Sequence, residues 1–287
     1  GAYYSTSDYS GFNAASYSTD AVGASTQLVL PINEIEQLSL SLGLDQTKIK
    51  TNIYTSQQLL DYIAAEGATQ EAITVGATWS RNSLNRGLFP TAGILNLIST
   101  SIAIPPSDVT YGKLTHKFRF YTPTLLNLIF SARTEIGALF AYGDTEKSPP
   151  YQNFYAGGLN SVRGFKQNTL GPRAYYSSGY SYENRSSGGA YLLEGGFDMI
   201  FSLPFLEDSR SVRSSIFLDY GNVFSDGCES YEVRCSEFDL SELRYSLGVG
   251  FTWITALGPM SFAISSPLNN DAFDETETFQ FEIGNQF

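Results

Sequence analysis

The sequence predicts an all-β fold, a single transmembrane antiparallel β-barrel domain over residues 1–287 with about twelve strands and one long loop inserted in its lumen. Three observations carry that reading. Hydrophobic residues make up 42% of the chain and charged residues only 16%, while 19 Tyr and 20 Phe supply material for aromatic girdles. No apolar run approaches the roughly 18 residues that a membrane-spanning helix needs, so a membrane role has to be carried by strands. Period-two alternation recurs along the chain and is clearest over 243–253. There Leu243, Tyr245, Leu247, Val249, Phe251 and Trp253 share one face, with Arg244, Ser246, Gly248, Gly250 and Thr252 on the other. A lipid-facing side and a wet lumenal side require that pattern.

In chain order, candidate strands run near 1–6, 18–30, 36–49, 70–82, 92–104, 110–121, 126–142, 189–203, 211–224, 241–255, 259–266 and 276–287. The chain lacks the basic start and apolar core of a signal peptide and begins in strand-like Ala2, Tyr3 and Tyr4, which reads as a trimmed or engineered start. The third strand sets Leu38, Leu40, Leu42 and Leu44 against Ser39, Ser41 and Gly43. The seventh sets Leu126, Leu128, Phe130, Ile136, Ala138, Phe140 and Tyr142 against Ser131, Arg133, Glu135 and Gly137. Connections alternate in length. Short links at 31–34, 85–91, 122–124, 204–210 and 257–258 take turns with longer ones at 45–69, 143–188, 225–240 and 267–275. Short periplasmic turns and long extracellular loops give outer-membrane barrels this rhythm, whereas a soluble β-sandwich has no reason to segregate loop length so regularly.

Charge and the remaining reactive residues work by exclusion. A formal net charge of -12 leaves no clustered Lys and Arg for a phosphate backbone, so nucleic acid is not an expected partner. Cys228 and Cys235 flank a polar stretch and have no nearby His, which favours a loop disulfide in an oxidising compartment over a zinc site. Gly248 and Gly250 lie inside an alternating strand rather than at a strand-to-helix turn, so they do not make a nucleotide loop. Asp271, Asp274, Glu275 and Glu277 lack EF-hand spacing and read as a solvated loop. The sole histidine, His116, shares a face with Leu114, Phe118 and Phe120. An imidazole on the lipid side cannot serve a lumenal or extracellular active site, so neither catalysis nor a cofactor or metal is expected.

The longest connection holds YQNFYAGGLNSVRGFKQNTLGPR between Tyr151 and Arg173. Its glycines and aromatics, with few charges, favour an ordered loop folded into the lumen, where Gly157, Gly158 and Gly164 permit tight turns. Arg163 sits between Val162 and the pair Gly164 and Phe165, and a guanidinium among such neighbours wants a carboxylate. Alternation turns Asp219 in FLDYG and Asp198 in GGFDMIF inward, which makes them its expected wall partners.

The stretch NFYAGGLNSVRGF, followed by QNTLGPR, resembles the sixth extracellular loop of the barrel subunits of bacterial outer-membrane assembly machines, with their Val-Arg-Gly-Phe motif at Val162, Arg163, Gly164 and Phe165. LPINEIEQLSL at 30–40, LNRGLFPTAG at 84–93, SVRSSIFLDYGNVF at 211–224, ALGPMSFAISSPL at 256–268 and the terminal FQFEIGNQF resemble further pieces of that family. By resemblance, Asp219 matches the strand carboxylate that pairs with the loop arginine, and Asp198 the second acidic wall position. The resemblance implies a bacterial outer-membrane barrel that folds and inserts nascent outer-membrane proteins without a cofactor. It also implies contact with the lipid bilayer and lipopolysaccharide, and with other assembly-machine subunits, mainly through periplasmic POTRA domains. Family barrels have about sixteen strands. The POTRA domains and roughly the first four strands have no counterpart here, so closing twelve strands would join a pair not adjacent in the family.

Alternation in the terminal strand places Phe279, Phe281, Ile283 and Phe287 on one face and Gln280, Glu282, Gly284 and Gln286 on the other. The resemblance makes this strand one side of a seam that opens laterally and templates incoming strands by edge pairing. Gly284 either marks a bend or is an ordinary small lumenal residue. Two rival readings are a two-partner secretion translocation pore, whose loop also carries Arg-Gly-Phe, and a plain diffusion porin. Against the porin, lumenal Arg119, Arg133, Arg213 and Arg244 mix with Glu135, Glu194, Asp198 and Asp219 and form no single-sign ring.

Overall fold

A computed structural model of the chain describes residues 1–8, 17–53, 55–176, 185–203, 211–232, 234–256 and 258–284. One sheet contains β1 (Ala2–Asp8), β2 (Ser18–Pro31), β3 (Glu36–Lys50), β4 (Thr69–Asn82), β5 (Gly93–Ile104), β6 (Tyr111–Pro123), β7 (Ile129–Ala141), β8 (Tyr191–Phe201), β9 (Val212–Phe224), β10 (Arg244–Thr255), β11 (Gly258–Asn269) and β12 (Phe279–Ile283). Neighbours in sequence are neighbours in the sheet, and each pair is antiparallel. Among the described residues no ladder joins β1 to β12, which stand at the two ends of the sheet.

Register explains the alternation. Leu28 faces Leu40, Leu38 faces Trp79, and Val249 lies between Ile216 and Ile264, all on the outer side of the wall. Leu28 is 56% exposed and Val249 52%. Side chains of this size gain about 1.5–3 kcal/mol each on leaving water, so a continuous band of them belongs against lipid. On the inner side small residues dominate; Ser39, Ser131, Ser246 and Ser265 are all buried there. The main hydrophobic core therefore lies inside the wall, where Val162, Phe165 and Leu170 of the long loop pack with Leu139, Leu192 and Val223.

The structure departs from the sequence reading in places with physical causes. Residues Leu125–Asn127 form a 3-10 turn in which Leu126 and Asn127 have φ of 65° and 59°, so the seventh strand starts at Ile129 and Leu126 and Leu128 lie outside it. The turn is apolar, and the alternation runs through it without a break. Leu243, placed on the lipid face by alternation, precedes β10 and is buried. The connection after β3 contains α1 (Gln57–Glu66), whose Leu59, Tyr62 and Ile63 pack with Tyr17, Ile49 and Tyr151. Gly67, with φ 88°, follows its last residue and donates its N–H to Ile63 O. At the helix's other end, Gln57 N donates to Tyr175 O at 2.7 Å, and Gln58 Nε2 donates to Arg173 O at 3.0 Å. The helix thereby braces the returning arm of the long loop.

Candidate functional site

The long loop doubles back on itself through antiparallel bridges between Phe154 and Gly189 and between Ala156 and Leu170. Its inner tip turns at Gly157, Gly158 and Gly164, which have φ of 102°, 104° and 92°. Ser161 steadies the tip: its Oγ accepts from Gly157 N at 2.8 Å and donates to the buried Glu194 on β8.

Arg163 reaches the wall as a fork. Its Nε donates to Asp219 Oδ2 at 2.6 Å, its Nη2 to Asp219 Oδ1 at 2.8 Å, and its own backbone N–H to Asp219 Oδ2 at 3.1 Å. Nη2 also lies 3.1 Å from Asp198 Oδ1, which accepts at 3.0 Å from Ser215 Oγ. The guanidinium carbon stands 3.4 Å from the centroid of the Phe217 ring. A second arginine completes the set, with Arg133 Nη2 3.0 Å from Asp219 Oδ1 and donating to Ser161 O. The Asp219 side chain is 0% exposed, and isolating a carboxylate from water costs several kcal/mol unless its lone pairs are filled. Two arginines and a backbone amide fill them, fixing the loop to the wall.

Sequence reasoning pointed to Arg163, Asp219 and Asp198 and missed the residues that make room for them. Gly196 faces Asp219 across the β8–β9 ladder, and a Cβ there would collide with Asp219 Oδ1. A Cβ on Gly221 would lie 2.8 Å from Val162 Cγ2. Val162 and Phe165 are both 0% exposed, with Gly164 between them pressed close to Ser246 and Ser265. The alternation that turns Asp198 and Asp219 inward implies the same face for Gly196 and Gly221, but it does not reveal that the loop descends onto them.

The far side of the motif meets the end of the chain. Gly164 N donates to Gln280 Oε1 at 3.1 Å, and Gln280 Nε2 donates to Phe165 O at 2.8 Å. Glu277 N donates to Gly164 O at 2.9 Å, and Lys166 N donates to Glu275 O at 2.8 Å, flanking a bridge between Phe165 and Thr276. Asn160 Nδ2 donates to Glu282 Oε2 at 2.6 Å. Of the seam residues expected from sequence, Phe279 and Phe281 lie exposed on the outer side near Phe262, whose ring centroid is 4.8 Å from that of Phe281. Gly284 has φ 109°, and a Cβ on it would meet nothing within 4 Å, so conformation rather than crowding requires glycine there. Phe287 lies outside the described residues.

Among the described residues, β12 pairs with β11 alone. Ser265 N donates to Thr278 O at 2.9 Å and Gly284 N to Pro259 O at 3.0 Å. By antiparallel alternation the amides of Gln280 and Glu282 also point to β11, and those of Phe279, Phe281 and Ile283 point to the edge.

Outside the lumen, Cys228 and Cys235 are joined in a disulfide. The acidic cluster is not the solvated loop expected from sequence: Asp274 is only 5% exposed and accepts from Arg244 Nε at 2.5 Å. Asp271 pairs with Arg234, and Glu275 with Lys166 at 3.0 Å. The partners come from β10, the long loop and the disulfide loop, three segments distant in sequence. Asp61 on α1 loses stability as a carboxylate through burial, yet hydrogen bonds from Tyr231 and Gln57 outweigh this and hold it below the ordinary carboxylate range. His116 faces Ile98 and Ile136 on the outer side, and its Nε2 lies 2.8 Å from Asn96 Oδ1.

Comparison with known proteins bears on this arrangement. The model of the Omp85 superfamily domain matches residues 1–287. The chain is 31% identical to the outer membrane protein assembly factor BamA of Neisseria meningitidis serogroup B, over 94% of this chain and 37% of that protein. It is 27% identical to the mouse (Mus musculus) sorting and assembly machinery component 50 homolog, over 59% of this chain and 35% of that one. The crystal structure of BamA from Haemophilus ducreyi lacking POTRA domains 1-3 superposes with a TM-score of 0.85 at 26% identity, covering 98% of this chain and 56% of that one. CdiB from Acinetobacter baumannii is similar in fold, with a TM-score of 0.57 at 12% identity over 92% of this chain and 41% of that one.

Proposed function

Because the chain belongs to the Omp85 superfamily, we propose that it is the barrel portion of an outer-membrane protein assembly factor, which folds and inserts β-barrel proteins into the bacterial outer membrane. The chain spans 37% of the Neisseria relative, and the activity proposed is that of a whole protein of this kind. In this reading the 287 residues correspond to the carboxyl-terminal strands of the family barrel, while POTRA domains and the first family strands have no counterpart among them. Nascent outer-membrane proteins are the clients, lipid and lipopolysaccharide surround the wall, and other assembly subunits dock mainly on POTRA domains.

The observation that carries the reading is the loop motif held on the wall. Val162, Arg163, Gly164 and Phe165 form the anchor and Asp198 and Asp219 its receptors, with Arg163 and Asp219 joined by three hydrogen bonds. A loop so fixed obstructs the lumen, and the cavity left beside it is lined by Arg119, Arg213 and Asp198, charges of both signs that select no single solute. The chemistry required is strand pairing, and the edge of β12, with Phe279 and Phe281 on the lipid side and Gly284 at its end, supplies backbone donors and acceptors for an incoming strand. No covalent bond is made or broken in such a step, so no catalytic residue is assigned.

The test introduces Arg163→Ala into the full-length parent, depletes the wild type, and follows the heat-modifiable folded fraction of several unrelated outer-membrane proteins. A fall across all of them supports general assembly. Normal levels with loss of one secreted protein would mark a dedicated secretion pore instead.

A further inference from the structure

The loop motif touches two unlike parts of the wall. Arg163 binds β8 and β9, each paired on both sides, whereas the next two residues, Gly164 and Phe165, bind residues 275–280, which lead into β12 at the end of the described sheet. Gln280 is the side chain at that second contact. It is 4% exposed, its oxygen accepts from Gly164 N, and its nitrogen donates to Phe165 O, so one amide reads both polar groups of a single loop turn. Backbone bonds from Glu277 N to Gly164 O and from Lys166 N to Glu275 O extend the same strap.

We propose that Gln280 is a positioning residue that fastens the terminal strand to the loop, so that β12 detaches from β11 only when Gly164 and Phe165 are released together with it. The loop thus acts as a second partner for β12, beside β11. Two features make Gln280 the critical contact. Its main chain is bonded to β11 while its side chain is bonded to the loop, so it is the point at which the two attachments meet. Replacing it with an apolar residue also leaves both the Gly164 N–H and the Phe165 carbonyl without these side-chain partners. What the released edge would pair with rests on the assembly reading; the mechanical link between loop and strand does not.

The test is amide hydrogen exchange on the folded protein in phosphatidylcholine vesicles, read residue by residue at increasing denaturant. In the unaltered protein, the amides of Gly164, Lys166, Gln280 and Glu282 are expected to converge on one opening event with one denaturant slope. In Gln280→Met, exchange at Glu282 and Lys166 should accelerate at least tenfold, while the Arg163 amide, held by Asp219, keeps its wild-type rate. If Glu282 opens in the unaltered protein while Gly164 and Lys166 stay protected, the strap does not exist. Acceleration confined to Glu282 in the variant would likewise overturn it, leaving only a packing role for Gln280. Neither outcome depends on assembly activity, so a failure here is separable from a failure of the functional reading.

Discussion

The β8–β9 wall and the β12 edge hold the same loop by opposite means. At β9 the contact is a buried charge cluster, with Asp219 sealed from solvent and shared by Arg163 and Arg133. At β12 it is mostly backbone and side-chain amide, with the Lys166–Glu275 pair left half-exposed, and the strand beneath it is five residues long. A buried carboxylate tolerates no loss of a partner, whereas an amide-to-carbonyl bond contributes only about 0.5–1.5 kcal/mol net. The loop is thus nailed to the interior of the sheet and tied to its edge, and the edge is the side expected to yield first.

The largest effect that can sharpen this contrast is at Asp219. Asp219→Ala takes their shared carboxylate from two largely enclosed guanidiniums, Arg163 and Arg133, and should cost about 3–5 kcal/mol, read as a lower denaturant midpoint for unfolding in vesicles. Were the midpoint unchanged, the cluster would be incidental to loop docking. Gly196→Ala is the next step down. Its added methyl enters the space of Asp219 Oδ1, and overpacking of this kind costs about 1–3 kcal/mol. Thermal unfolding of the variant should show a clear drop, although the change adds only one carbon to a strand. At the edge, Lys166 and Glu275 are 45% and 34% exposed, and Lys166→Ala should shift the midpoint by about 0.2–1 kcal/mol. A cost as great as that of Gly196→Ala would erase the distinction between the two attachments.

The same contrast explains what could be read from sequence. Strand β9 was legible because Ile216, Leu218 and Tyr220 alternate with Phe217 and Asp219, and that period places Asp219 inward without knowledge of any neighbour. The twelve strands and their order follow from the same signal. Gln280 was legible as inward but not as a contact, since its partners are set by how deep the loop descends. Arg133 and Gly196 depend on which residue lies beside which across a ladder, information that no single strand carries. Helix α1 did leave a trace, with Leu59, Tyr62 and Ile63 at helical spacing and Gly67 just beyond the end. Its apolar stripe was short enough to pass for loop. The acidic residues near Asp274 looked solvated because their arginines, Arg173, Arg234 and Arg244, arrive from remote segments.

The most direct measurement of the central claim, that a shared buried charge fixes the loop motif to the wall, is a double-mutant cycle on Arg163 and Asp219. Unfolding free energies are measured for the wild type, Arg163→Ala, Asp219→Ala and the double variant. The clamp predicts a coupling of about 2–3 kcal/mol, with the double variant no less stable than Asp219→Ala alone, because the first change has already taken from Arg163 the three hydrogen bonds that Asp219 accepts. Costs that simply add would show that the two residues stabilise the barrel independently, and the loop would not be held there by this pair.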